Sequence, residues 1–247
     1  MKAWRVRLHE ELRTSKNNYF ITLTIDDENY IKLLDKIKSK YDIDENGYKM
    51  QNLIATEAVR RWLENIRSKT KKSIKHWLVT ELGQNNTERI HLHGVLFEIE
   101  DINLIMQKWL HGTTWIGQYV NEKTINYIGK YLTKLDKTHM AYTPIILTSK
   151  GIGANYLNRY DSKNNKFNGT NTNELYKTRS GHTINLPIYY RNKIYSETER
   201  EQLWLNKLNK QERYVLGNKI DISKNDDEYE KALIYARTIN KKQGWLS

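Results

Sequence analysis

The sequence predicts an α+β fold in which an antiparallel sheet is flanked by helices. Two strand-like segments, 76–82 and 90–98, are separated by the short polar loop 83–89, which indicates a β-hairpin. An earlier segment, 19–25, alternates in the same way, and stretches with apolar residues at helical spacing stand before and after the hairpin. Strands and helices in this order are typical of a sheet covered by helices.

The individual elements follow from local patterns. Residues 19–25 predict a strand because they alternate and are rich in β-branched and aromatic types. Residues 52–72 predict a helix because their apolar residues recur at helical spacing. That apolar stripe consists of Ile54, Val59, Trp62, Leu63 and Ile66. After the hairpin, we expect a helix at 101–110, a short strand at 115–120 and a helix at 122–135.

The C-terminal part of the chain differs in composition. After about residue 195 the sequence becomes charged and has helical periodicity, and no linker-like segment or internal repeat separates it from the rest. We therefore predict a main domain at 1–195 and a helical C-terminal extension at 196–247.

The chain is basic, which narrows the range of partners. Its 247 residues include 41 Lys and Arg against 29 Asp and Glu, a formal net charge of +12. This balance favours a polyanionic partner such as nucleic acid, although a solvated lysine-rich surface has the same composition. The lysines are spread along the chain rather than gathered in a tail, so we expect a basic groove.

Several protein classes are excluded by features that the sequence lacks. It has no cysteine, which rules out disulfides, thiolate zinc sites and cysteine nucleophiles and suits a reducing cytoplasm. No apolar run reaches the ~18 residues of a membrane span, and no signal-peptide pattern opens the chain. There is no P-loop motif. We therefore expect a cytoplasmic protein with no membrane attachment and no nucleotide cofactor.

His91 and His93 are candidate metal ligands. They stand two apart in a strand-like run, so both rings leave the sheet on one face. If 83–89 is the hairpin loop and no bulge intervenes, Glu81 lies opposite His91 and shares that face. Two imidazoles and a carboxylate suit Mg²⁺ or Mn²⁺ in use, and Zn²⁺, Co²⁺ or Ni²⁺ as opportunistic occupants. An isolated H-x-H pair is more often structural, but the predicted convergence favours a metal site.

Tyr127 and Tyr131 are candidate nucleophiles. In the predicted helix at 122–135 they lie one turn apart on one face, and each begins a Y-x-x-K unit completed by Lys130 or Lys134. A free tyrosine has a pKa of about 10, so a nearby ammonium group or metal would raise its phenolate fraction and stabilise phosphorane charge. The alternative is that these tyrosines cover the sheet edge while the lysines face solvent.

One face of strand 19–25 carries candidate DNA-binding residues. Alternation places Phe20, Thr22 and Thr24 on the same face, where two hydroxyls and one stacking ring could contact single-stranded DNA. A strand with a half-polar face is the simpler alternative.

Three motifs together resemble a known family. In order, motifs 1, 2 and 3 of the HUH endonuclease superfamily, the rolling-circle replication initiators, resemble FITLT at 20–24, HLHGVLF at 91–97 and YIGKYLTK at 127–134. The Y-x-x-x-Y pair resembles the initiators of microviruses, small phages with single-stranded DNA.

Further stretches are similar to the gokushovirus-like branch of those initiators. They are AWRVRLHEEL near the start, SKGIGANYL at 149–157 and LPIYYRNKIYSETER at 186–200. The resemblance therefore runs from about residue 3 to 200. Such proteins often carry a cysteine-rich segment before the AWR-like stretch, and this sequence contains none.

The resemblance implies a ferredoxin-like HUH endonuclease core in residues 1–195 and cleavage of single-stranded DNA at an origin. It implies that His91 and His93 are metal ligands with Glu81 as the third, and that Tyr127 and Tyr131 are the nucleophiles. The expected products are a 5′-phosphotyrosine link and a 3′-OH primer. Host helicase and polymerase in the bacterial cytoplasm are the expected further partners.

Other interpretations stay open from the sequence. Within the same chemistry, the protein could be a relaxase or a single-tyrosine transposase-type nickase. A non-catalytic single-stranded DNA-binding protein or repressor could use the same sheet. A basic α+β protein with purely structural histidines is the third alternative.

Overall fold

The computed structural model describes residues 2–41, 47–83, 88–117, 120–131, 139, 141–223 and 225–242, without the side chains of residues 2, 41, 129–131 and 242. The chain divides into two compact units, Met1–Asn158 and Arg159–Ser247. The division into a domain at 1–195 and an extension at 196–247 stays a prediction.

The first unit contains a central sheet and the helices that cover it. Its elements in chain order are α1 (Lys2–Thr14), β1 (Tyr19–Thr24), α2 (Asp27–Tyr41), α3 (Tyr48–Thr70), β2 (Lys75–Leu82), β3 (Ile90–Phe97), α4 (Ile102–Gln107), β4 (Thr114–Gly117), α5 (Glu122–Tyr131), β5 (Ile146–Thr148) and a 3₁₀ helix (Ala154–Asn158).

The sheet confirms the predicted fold class. Its five described strands lie in the order β4-β1-β3-β2-β5, and each adjacent pair is antiparallel. The first four strands and the helices between them follow the β-α-β-β-α-β order of a ferredoxin-like fold. The structure is therefore α+β, with helices flanking an antiparallel sheet.

The two faces of the sheet are covered by different helices, because successive side chains of a strand point to opposite sides. On the face that we call the α3 face, strand residues such as Ile21, Leu78 and Leu92 pack with buried residues of α2 and α3. On the α5 face, strand residues pack against α1 and α5. That second cluster contains Leu8, Trp77, Val79, Val95, Phe97, Ile125, Ile128 and Ile152.

Most predicted elements of this unit are confirmed with small shifts at their ends. The predicted helix at 122–135 corresponds to α5, and its last part falls on residues outside those described. Two helices, α1 and α2, were not predicted. For α2 a local signal existed, because the Asp26 carboxylate accepts a hydrogen bond from the backbone N–H of Asn29 at 2.8 Å, as a helix-capping residue does.

The second unit combines short helices with two small hairpins. Its elements are α6 (Tyr160–Lys163), a 3₁₀ helix (Gly169–Asn171), β6 (Leu175–Lys177), β7 (Thr183–Asn185), α7 (Ile188–Ile194), α8 (Glu197–Asn209), β8 (Glu212–Val215), β9 (Asn218–Asp221) and α9 (Asp227–Lys242).

The C-terminal segment is not helical throughout, which corrects the prediction for residues after 195. Helices α8 and α9 are present, but β8 and β9 form a hairpin between them. Its two central residues, Leu216 and Gly217, both have positive φ, at 50° and 86°. Positive φ at both positions is the geometry of the tight turn that matches strand twist, so the turn overrides the helical composition.

The GIG segment at 151–153 docks on α1. The backbone N–H of Gly153 donates to the Glu11 carboxylate at 2.7 Å, and the Arg7 guanidinium donates to the carbonyl of Ile152 at 2.9 Å. Gly153 has φ of +75°, and a Cβ there would lie 2.5 Å from the carbonyl oxygen of Arg7. The backbone of this segment therefore lies too close to α1 for any side chain at Gly153.

Gly153→Ala should destabilise the protein more than Gly151→Ala. Gly151 has a similar φ of +81°, but a Cβ at that residue would meet nothing within 4 Å, so alanine there adds only left-handed strain of about 1–2 kcal/mol. At Gly153 the backbone clash adds to that strain, and we expect a loss of roughly 3 kcal/mol or more. Urea denaturation of both variants measures the difference, and equal losses would contradict it.

Candidate active site

The hairpin that carries the candidate metal ligands has the predicted register. Strand β2 pairs with β3 so that Glu81 lies opposite His91 and Leu82 opposite Ile90. The N–H of Gly83 donates to the carbonyl of Arg89 at 2.8 Å and closes the loop base, while residues 84–87 lie outside the described part. The pairing without a bulge is confirmed.

The neighbouring strand β1 completes the polar part of the α5 face. It pairs with β3 so that Thr22 lies opposite His93 and Thr24 opposite His91. Directly opposed residues share a face. The three candidate ligands and the three candidate DNA-binding residues therefore lie on one face of three adjacent strands.

His93 is held through both ring nitrogens. Its Nε2 lies 3.0 Å from Oε2 of Glu81, and its Nδ1 lies 3.0 Å from Oγ1 of Thr22. The ring also stacks on Phe20, with centroids 6.4 Å apart and planes 10° apart. A hydroxyl on one ring nitrogen sets the orientation and tautomer of the other, as partners of metal-bound histidines do.

His91 lies beside this group. Its ring is 6.3 Å from that of His93 between centroids, with an angle of 20° between the planes. Burial lowers the pKa of His91 below its usual value and the neighbouring His93 contributes in the same direction, while Glu81 opposes the shift. A lowered pKa favours the neutral imidazole, which is the form that binds metals.

The donor set fits a divalent metal by its chemistry. Two imidazoles and one carboxylate come from adjacent strands, and His93 already contacts both Glu81 and an orienting hydroxyl. Within the described ranges, no three His, Asp or Glu side chains already form a cluster that could hold a metal ion. If a metal binds here, Glu81, His91 and His93 are the residues that would hold it.

Helix α5 brings the first candidate nucleophile to the same face of the sheet. The N–H of Thr124 donates to the Asn121 carboxamide at 3.0 Å at the start of the helix. Ile125 and Ile128 are buried in the cluster on the α5 face. Tyr127, between them in the sequence, is 49% exposed. The helix is therefore fixed by its apolar side while the Tyr127 ring reaches solvent.

The other predicted residues of the nucleophile motif are only partly described. Tyr131 is the last residue of α5, one turn after Tyr127, and Lys130 precedes it. The side chains of both fall outside the description, and Lys134 lies outside the described residues. Their predicted roles stay predictions.

The predicted DNA-binding residues of β1 have partners within the chain. The hydroxyl of Thr22 contacts His93, as described above. The hydroxyl of Thr24 lies 2.7 Å from that of Thr113 and accepts from the backbone N–H of Thr113 at 2.9 Å, which ties the start of β4 to β1. Sequence reasoning missed the contact between Thr22 and His93, because β1 and β3 are far apart in the sequence.

No described helix is both long enough and apolar enough to cross a membrane.

Comparison with known proteins gives one informative match. No curated protein and no solved structure matches the chain significantly. Residues 18–136 match the model of the replication-associated protein ORF2 family. The matched span begins before β1 and extends past α5, so it contains every candidate site residue from Phe20 to Lys134. Over that span the chain is similar to replication-associated proteins, and the match supports a replication initiator that interacts with DNA.

Proposed function

We propose that this protein is a replication initiator that nicks single-stranded DNA at an origin by metal-assisted tyrosine attack. The observation that supports this most is the placement of Glu81, His91 and His93 on one sheet face, with α5 and Tyr127 packed on the same face. The similarity to replication-associated proteins over residues 18–136 supports the same conclusion.

In the proposed reaction, a tyrosine of α5 is the nucleophile. Its phenolic oxygen attacks the scissile phosphorus, a new phosphorus–oxygen bond forms, and the bond to the 3′ oxygen breaks. The products are a 5′-phosphotyrosine and a 3′-OH, with the phenol proton transferred through solvent to the leaving oxygen. A metal held by Glu81, His91 and His93 would act as a Lewis acid on a non-bridging phosphate oxygen.

The two tyrosines would act in turn. The covalent link conserves the energy of the broken phosphodiester bond, so rejoining needs no nucleotide cofactor. After one round of synthesis, the second tyrosine cuts the regenerated origin, and the released 3′-OH attacks the first phosphotyrosine and closes a circle. Lys130 and Lys134, each three residues after a tyrosine, would stabilise phosphate or leaving-group charge. Host helicase and polymerase would act on the opened strand.

Incubation with labelled single-stranded DNA and Mn²⁺, with and without EDTA, followed by a denaturing gel, tests this function. We expect a protein–DNA adduct that depends on the metal, because the phosphotyrosine link survives denaturation. A panel of candidate origin sequences serves as substrate, since cutting depends on the sequence supplied. Binding of every strand in the panel without any adduct would instead support the single-stranded DNA-binding protein.

A further inference from the structure

An exposed tryptophan lies at the edge of the candidate site. Trp115 belongs to the edge strand β4 and lies opposite Thr22, which places it on the same sheet face as His93. It is 57% exposed, although most large aromatic side chains of this unit are buried in its two clusters. A large exposed ring beside a candidate active site is a candidate binding surface.

The Trp115 ring has a defined position despite its exposure. It packs edge-on against Phe20, with centroids 5.9 Å apart and planes at 75°. It also lies across Gly117, where a Cβ would be 3.0 Å from Cζ3 and 3.1 Å from Cη2 of the indole. The absence of a side chain at Gly117 therefore gives the indole room to lie along the strand. An aromatic ring held in this way loses little conformational entropy when a ligand stacks on it.

A continuous row of rings joins Trp115 to the candidate metal site. Trp115 contacts Phe20, and Phe20 stacks on His93 with planes only 10° apart. Phe20 is thus enclosed between two rings and only partly exposed, whereas Trp115 presents surface to solvent. The stacking role that the sequence suggested for Phe20 therefore fits Trp115 better.

We propose that Trp115 is a stacking platform for one nucleobase of the bound single strand, close to the phosphate that is cut. This inference rests on the proposed function for the identity of the ligand. Base stacking on an aromatic ring tolerates any base, because every base has a π face. Trp115 carries no charge, so it contributes to affinity without contacting phosphate. Its role is to position the strand relative to His93 and α5.

Equilibrium binding of a fluorescent single-stranded oligonucleotide tests the platform. The protein carries Tyr127→Phe and Tyr131→Phe, and EDTA is present, so that no strand is cut. Trp115→Ala should weaken binding by about tenfold, within a range of about 5- to 150-fold for one stacked base. The dependence of affinity on salt should keep its slope, because no phosphate contact is lost.

Matched variants separate stacking from other effects. Trp204→Ala removes a tryptophan that is also 57% exposed, on α8, and should leave affinity unchanged. Trp115→Phe keeps an aromatic face and should bind nearly as well as the parent, whereas Trp115→Leu keeps only apolar contact and should bind like Trp115→Ala. Circular dichroism melting checks that each variant is folded. Parent-like binding by Trp115→Leu, or equal losses for Trp115→Ala and Trp204→Ala, would overturn the proposal.

An oligonucleotide series with one abasic position at a time locates the stacked base. At a single position, base removal should weaken binding by the parent about as much as Trp115→Ala does, and should cause no further loss in that variant. If every abasic position affects the parent and the variant equally, Trp115 stacks on no base. The outcome is independent of nicking: an absent adduct in the metal assay contradicts the proposed function alone, and unchanged affinity of Trp115→Ala contradicts the platform alone.

Discussion

Replacing both Tyr127 and Tyr131 by Phe should abolish the covalent protein–DNA adduct. Phenylalanine keeps the ring and removes only the hydroxyl that forms the bond to phosphorus, so α5 should keep its packing through Ile125 and Ile128. We expect adduct formation to fall by at least about a thousandfold, as when a nucleophile is removed from an enzyme. Affinity for single-stranded DNA should change by less than about threefold, since a hydroxyl contributes little to stacking or charge.

The single variants distinguish a two-tyrosine enzyme from a relaxase or single-tyrosine nickase. If both tyrosines act, each single Phe variant still forms an adduct through the tyrosine that is left, but it fails to complete strand transfer to a closed product. In a single-tyrosine enzyme, one variant is inactive and the other is fully active. A control variant carrying Tyr214→Phe and Tyr235→Phe, which changes two exposed tyrosines of the second unit, should behave like the parent. An adduct formed by the Tyr127→Phe, Tyr131→Phe variant would contradict the assignment.

His93→Ala should remove the stabilisation of the protein by Mn²⁺. A metal that binds only the folded state raises its stability by about 2.7 kcal/mol at a concentration of 100 times Kd. For a chain of this size, that corresponds to a rise in Tm of about 5 °C or more. His93 is the residue on which Glu81 and Thr22 both converge, so its loss disrupts the donor set most. The adduct should fall by at least about 100-fold, because even an outer partner of a ligand contributes about 10- to 100-fold.

Two further variants give this experiment its controls. Glu81→Gln keeps the size of the side chain and removes its charge, so it should also lose the Mn²⁺-dependent rise in Tm. His182→Ala removes an exposed histidine in the second unit and should keep that rise in full. If Mn²⁺ raises the Tm of His93→Ala as much as that of the parent, the metal is bound elsewhere and this donor set is wrong. A parent protein that shows no rise at all would favour structural histidines.

The hairpin of β2 and β3 shows how far the sequence could lead. Both strands alternate between apolar residues of the α3 face and residues of the opposite face, and a slip by one residue would reverse every side chain. The polar loop between them then leaves one pairing that buries the apolar set. The predicted opposition of Glu81 and His91 is confirmed for this reason.

Elements with weaker local signals were not predicted. Helix α1 packs through Leu8 and is fixed by contacts with the GIG segment about 140 residues away in the sequence, such as the bond from Gly153 to Glu11. The hairpin of β8 and β9 has a helical composition, and the backbone conformation of Leu216 and Gly217 decides against a helix. In both cases a contact or a turn outweighs the local pattern.

The sequence alone determined the antiparallel hairpin, the shared face of Glu81, His91 and His93, and the one-turn spacing of Tyr127 and Tyr131. These depend only on the periods of strands and helices, which are local properties of the chain. Tertiary structure decided that β1 lies beside β3, which places Thr22 on the second nitrogen of His93 across 71 residues of sequence. It also decided that β4 adds Trp115 to the same face. Pairing between distant strands depends on how the whole core packs, and no local pattern encodes it.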